Sequence, residues 1–147
     1  MSGIIVGVDG SGHSELALQW AMNEAAARHA ALTVLTVDPV ALSAWTGAPI
    51  RSEADEPARE HAELAAREAA DNALAKLAGE SRPDSVTVRA FSGNAAEELI
   101  NASRGADLVV VGSRGAGGFS RLMMGSVSSQ VAHHAHCPVV IIPHEQR

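Results

Sequence analysis

The stretch Val109-Val110-Val111-Gly112-Ser113-Arg114-Gly115-Ala116-Gly117-Gly118-Phe119-Ser120-Arg121-Leu122-Met123-Met124-Gly125-Ser126-Val127-Ser128 decides how the chain is read. A β-branched run enters a glycine-rich loop, and the loop leads into a helical pattern. Strand, glycine loop and helix start together make an anion site. Glycines let main chain approach a ligand closely. Free N–H groups at the helix start point outward, and the helix dipole favours negative charge there. Gly112 and Gly115 sit at the strand exit; Gly125, Ser126 and Ser128 sit where the helix begins. The two ends can close on a polyphosphate from both sides.

Two familiar phosphate motifs do not fit. A Walker A loop places a lysine immediately before its Ser or Thr. Here Met124 and Gly125 precede Ser126, and the only lysine, Lys76, falls in a distant helical stretch. A dinucleotide fingerprint would follow the first strand. The residues there, Asp9-Gly10-Ser11-Gly12-His13-Ser14, lack its third glycine. What remains is a different spacing: Gly112, two residues, Gly115, nine residues, Gly125, then Ser126.

Working outward, Gly3–Val8 is a short apolar run of the kind buried on both faces of a parallel sheet. Asp9 falls at its carboxyl end, where open α/β sheets bind ligands. Its carboxylate can accept from a ribose hydroxyl or help hold a metal; alternatively it is a turn acid beside Gly10. Ser14 suits the cap of a helix over 15–29, with Ala17, Ala21 and Ala25 on one face. Leu32–Val37 is predicted as the second strand, and main chain at Val37 can read an adenine edge. Residues 38–57, with Pro39, Gly47, Pro49 and Pro57, read as a long loop. A long helix over 56–77 follows. Its predicted inner face is Ala62, Ala66, Ala69, Ala73 and Leu77, and Arg59, Glu60, Arg67 and Glu68 face water. Val86–Ala90 alternates with Thr87 and Arg89, which suggests a half-exposed edge strand. Asn94 and Glu97 have capping-box spacing for a helix ending near Arg104. Leu108–Val111, a helix over 125–135 and a strand over Val139–Ile142 complete the chain.

Strand and helix alternate throughout, so the fold class is α/β. The expectation is a single three-layer α/β/α domain over 1–147. Its five-stranded parallel sheet takes the order 3-2-1-4-5, an arrangement that resembles the Rossmann-like, adenine nucleotide alpha hydrolase-like folds. The site then lies between the first and fourth strands. Length agrees with one domain, and 147 residues suffice for a core without staples. A formal charge of −6 argues against nucleic acid, which needs a basic face. Arg114 and Arg121 supply local positive charge inside the loop. One cysteine, Cys137, excludes an internal disulfide and fits a reducing compartment. No leader pattern and no long apolar run are seen. The expected setting is the cytoplasm, with no membrane partner.

The Gly112–Ser128 spacing resembles the ATP-binding signature of the universal stress protein family. Ile5-Val6, Val8-Asp9-Gly10-Ser11, Ser14 and Ala17-Leu18 are similar to that family's first strand and helix. His134-Ala135-His136-Cys137-Pro138-Val139 is similar to its last helix and strand. The resemblance covers essentially the whole chain and implies the ATP-binding branch. It implies an adenine-nucleotide site built from Val8, Asp9, Gly10, Ser11 and Val37 on the nucleoside side. On the phosphate side it implies Gly112, Ser113, Arg114, Gly115, Gly125, Ser126, Val127 and Ser128. Ser126 would offer its hydroxyl to phosphate or to Mg2+. It also implies a homodimer. Val139–Ile142 would be an uncharged edge, which invites pairing with its own copy, unless Pro138 and Pro143 blunt it.

His133, His134, His136 and Cys137 make a dense run of metal-type ligands. Adjacent histidines diverge by about 100° on a helix, so they do not share a site readily, and no metal centre is assigned. Two functions remain: a nucleotide-responsive regulatory protein of the stress response, or a slow ATPase or nucleotidyl-transfer enzyme. Turnover needs a group that orients water and a cation on the moving phosphoryl. No acid in the sequence presents itself for the first task, so no catalytic residue is assigned and binding is favoured. A flavin carrier ranks below both, because the chain has no tyrosine and few other aromatics to stack on a ring.

Overall fold

Five parallel strands lie side by side in the order β3-β2-β1-β4-β5. They are β1 (Ile4–Val8), β2 (Ala31–Pro39), β3 (Ser85–Gly93), β4 (Leu108–Gly112) and β5 (Val139–Ile142). Among the described residues four α-helices connect them: α1 (Gly12–Arg28), α2 (Asp55–Ala75), α3 (Ala95–Ala102) and α4 (Ser126–His134). This computed structural model describes residues 3–10, 12–39, 55–113 and 125–143. The α/β class and the strand order are those the sequence predicts.

Strand alternation divides the core into two layers. Ile4, Val6, Leu32, Val34, Leu108 and Val110 face α1 and α2. Leu35, Val109 and Val111 face the other way, onto Ala96, Leu99 and Val131 of α3 and α4. The first layer meets mostly alanine, at Ala17, Ala21, Ala25, Ala66, Ala70 and Ala73. Alanine contributes little area, so helices draw close and the branched strand residues supply most of the burial. The chain crosses the first face twice, through α1 and α2, and then the second face twice, through α3 and α4. The reversal falls between β1 and β4.

Several boundaries differ from the sequence reading. α1 begins at Gly12, so Ser14 lies inside its first turn and is not the outer cap. Its end has no glycine: His29 adopts φ 53°, and the Ala30 N–H reaches the Ala25 carbonyl at 2.9 Å. That is a left-handed helix stop made by a non-glycine residue. β2 runs on to Pro39 and α2 starts at Asp55, so both ends of the expected loop are regular structure. Pro57 fits the first turn of α2, where its missing N–H costs nothing. The rest of that loop, 40–54 with Trp45, lies outside the described residues. The buried stripe of α2 is Ala66, Ala70 and Ala73, while Ala62, Ala69 and Leu77 are half-buried. β3 is an edge strand, as its alternation suggests. The Asn94 side chain accepts from the Glu97 N–H at 2.9 Å, which caps α3.

Candidate functional site

β1 and β4 pair only from Ile4↔Leu108 to Val6↔Val110. Both strands continue, but with other neighbours. Val8 still pairs with Thr36 of β2, and Gly112 with Ile142 of β5. The sheet therefore parts at its carboxyl end, where the connections change face. Open α/β sheets take ligands at such a point.

Val8, Asp9 and Gly10 form one bank of this crevice. Asp9 is exposed, and its N–H donates to the Ser14 hydroxyl at 3.2 Å. That bond ties the strand exit to the first turn of α1. Gly10 adopts φ +84°, a region that a side chain would strain.

Gly112, Ser113 and the start of α4 form the other bank. The Ser113 N–H donates to the Ile142 carbonyl at 2.9 Å, which continues the β4–β5 ladder. The Ser113 carbonyl accepts from the Gly125 N–H at 2.7 Å. The Ser128 hydroxyl lies 3.0 Å from both the Ser113 and the Gly125 carbonyl oxygens. The two ends of the glycine loop are thus held together at its base. Gly125 is the N-cap of α4, and its carbonyl accepts from Ser129 at 3.0 Å. The N–H groups of Ser126, Val127 and Ser128 find no partner among the described residues. They are the orphan donors of a helix start, suited to an anion. Ser126 is exposed, whereas Ser128 is buried and its hydroxyl is spent on main chain.

Val37 stands one strand over. Beyond Thr36, β2 has no β1 partner; Val37, Asp38 and Pro39 pair with Phe91, Ser92 and Gly93 of β3. Val8, Asp9, Gly10, Val37, Gly112, Ser113, Gly125, Ser126, Val127 and Ser128 therefore gather along one edge of the sheet. Ser11, Arg114 and Gly115 lie outside the described residues, as do Arg121 and the Met123-Met124 pair.

The sequence reading missed a second opening. A cleft of about 440 Å³ starts at Val8, Asp9 and Gly10 and runs between α1 and α2, with Thr36 in its lining. The cue was present: Leu32, Val34 and Thr36 alternate onto one buried face, and only Thr36 is polar.

The histidine and cysteine run serves other contacts. The His133 Nδ1 lies 2.7 Å from the Ser129 carbonyl, and the His136 N–H donates to the Ser103 hydroxyl at 2.8 Å. Burial, with the Asp107 carboxylate second, raises the Cys137 thiol above its ordinary range. Among the described residues no group of three His, Cys, Asp or Glu side chains converges on a metal position.

A sequence profile of the universal stress protein family matches residues 1–143. This chain belongs to the universal stress protein family. A universal stress protein of Mycolicibacterium smegmatis is 36% identical over 140 residues, covering 95% of this chain and 47% of its own length. One from Mycobacterium tuberculosis is 34% identical over 146 residues, covering 97% and 48%. The chain thus spans about half the length of the curated relatives it matches. Among solved structures, the universal stress protein UspA from Lactobacillus plantarum is 25% identical with a TM-score of 0.75, covering 96% of this chain and 97% of that one. A universal stress protein in complex with cAMP superposes with a TM-score of 0.67 at 24% identity, covering 97% and 96%. One from Archaeoglobus fulgidus in complex with dAMP does so at 0.59 and 20%, covering 97% and 98%. These last two likenesses speak to the fold. No helix among the described residues is long and apolar enough to cross a membrane.

Proposed function

We propose that this universal stress protein domain binds an adenine nucleotide, ATP with Mg2+, and acts as a nucleotide-responsive regulator of the stress response in the cytoplasm. The observation that carries this reading is the parting of β1 from β4 beside three N–H groups at the start of α4 that find no partner among the described residues. The donor chemistry fits: main-chain N–H groups and a helix N-terminus receive phosphate without needing a lysine. Asp9 would accept from the ribose and Val37 main chain would meet the base, with Val8, Gly10 and Ser11 beside them. Gly112, Ser113, Arg114 and Gly115 would line the phosphates from one side. Gly125, Ser126, Val127 and Ser128 would hold them from the other, with the Ser126 hydroxyl on phosphate or Mg2+. Ser128 would act through the main chain that it ties. Relatives solved with cAMP and dAMP support the adenine preference. They also keep a cyclic or shorter nucleotide open as the natural ligand.

Slow ATP hydrolysis or nucleotidyl transfer is the second reading. It needs a water-orienting group that the site residues do not provide. The homodimer belongs to the proposal too. β5 is the outer strand beyond β4, and its Val139, Val140, Ile141 and Ile142 are only half-buried. A second copy pairing there would close the edge.

Thermal unfolding tests the site. Ligand at a hundred times Kd adds about 2.7 kcal/mol, which raises the midpoint by roughly 5–10 °C in a chain of this size. Mg-ATP should do so and Mg-GTP should not. No shift at millimolar Mg-ATP, and none with cAMP or ADP, would reject the nucleotide site.

A further inference from the structure

The cleft between α1 and α2 contains a polar group that the fold leaves idle. Thr36 is 5% exposed, and among the described residues no hydrogen bond reaches its hydroxyl. Native structures keep few buried polar groups without a partner, because each forfeits its bonds to water. Thr36 lines the cleft, whose volume suits a small organic molecule. Val8 and Leu18 on one side and Ala62, Ala66 and Ala69 on the other make the apolar part of the walls, and Ser14, His61 and Asn72 add polar groups. Asp9, Glu15 and Glu68 bring three exposed carboxylates to the lining against one imidazole, His61, and among the described residues no lysine or arginine lines the space. An anion is therefore disfavoured here, the opposite of the preference at the start of α4.

We propose that this cleft is a second ligand site, on the α1–α2 face of the sheet. It takes a small molecule with an apolar body, a hydrogen-bonding group for the Thr36 hydroxyl and an ammonium head for the Glu15 and Glu68 carboxylates. The apolar body lies on Ala62, Ala66 and Ala69 of α2. Among the described residues the site meets the proposed nucleotide position at Val8–Gly10, so one ligand can report on the other through that turn.

Benzylamine, benzyl alcohol and benzoate share a ring and differ in head group, which makes them suitable probes. Each is titrated into the full chain and followed by amide chemical shifts. Benzylamine should move Val8, Leu18, Thr36, Ala66 and Ala69 in a saturable way, benzyl alcohol more weakly and benzoate not at all. Thr36→Val keeps shape and removes the hydroxyl, and should weaken benzylamine about fivefold. Ala69→Leu fills the cleft from its half-buried wall and should abolish the response. Both variants should keep the Mg-ATP thermal shift. The proposal fails if no probe saturates, if the three bind alike, or if Thr36→Val binds benzylamine as tightly as the parent. It fails too if Thr36→Val loses the Mg-ATP response along with the amine, because the cleft would then be part of the nucleotide site.

Discussion

The hydroxyl of Ser128 lies 3.0 Å from the carbonyl oxygen of Ser113, fifteen residues earlier in the chain. One buried side chain thus fixes where the glycine loop begins relative to where it ends. Ser128→Ala removes that tie, yet both carbonyls keep an N–H partner: Gly125 for Ser113 and Ser129 for Gly125. No orphan is created, so the cost in stability should stay near 0.5–1.5 kcal/mol. Nucleotide affinity should fall further than stability, because the loop base loosens. Urea titration and a Mg-ATP binding isotherm measure the two effects. Unchanged affinity would show that the tie does not position the loop.

Gly3 approaches β2 more closely than any side chain permits. A Cβ there would sit 2.5 Å from the Ala31 carbonyl oxygen, and that neighbour is main chain. Gly3→Ala should destabilise by about 1–3 kcal/mol. Gly105→Ala, with nothing within 4 Å of its added methyl, is the matched control and should be near neutral. Chemical denaturation of the two variants decides the matter, and equal midpoints would refute the steric argument.

A carboxylate in β5 tests the proposed dimer. Ile141 lies in register with Val111 on the outer strand. Ile141→Asp should convert a dimer to a monomer while leaving the fold intact, and light scattering with circular dichroism reads both. An unchanged mass would reject pairing through this edge.

The Cys137 thiol is raised mainly by burial and secondarily by the Asp107 carboxylate. The folded state therefore holds this proton more tightly than the unfolded chain does. Its contribution is fully present below the unfolded thiol value and is lost as pH rises through the folded one. Relative to Cys137→Ala, the parent protein should lose stability in alkaline solution and not near neutrality. Alkylation by iodoacetamide at pH 8 should also be slower for the folded than for the unfolded protein. Equal rates would place the thiol in an ordinary solvent environment.

The strands and their order were legible because alternation and apolar runs mark which residues face inward. The Asn94 cap was legible because its partner, Glu97, is local. The phase of α2 was not: alanine stands at 62, 65, 66, 69, 70 and 73, so composition leaves its inward stripe undetermined. Packing against the sheet selects Ala70 over Ala69. Ser14 was read as a cap from its spacing, and the resemblance put Ser128 on the phosphate side. What neither showed is where their hydroxyls bond, to Asp9 main chain and to Ser113, contacts that exist only once strands and helices have met. The Thr36 cleft escaped notice for a similar reason, since a cavity belongs to two helices and a strand at once.

β2 outlasts β1 by three residues, from Val37 to Pro39, a rise of about 10 Å. The upper margin of the sheet is therefore stepped, tall over β2 and β3 and low over β1. A flat ring resting on the low tread has a backbone riser on one flank and the mouth of the glycine loop on the other. Such a terrace would give an elongated guest a head and a tail, and turning the guest end for end would carry its charge away from the start of α4.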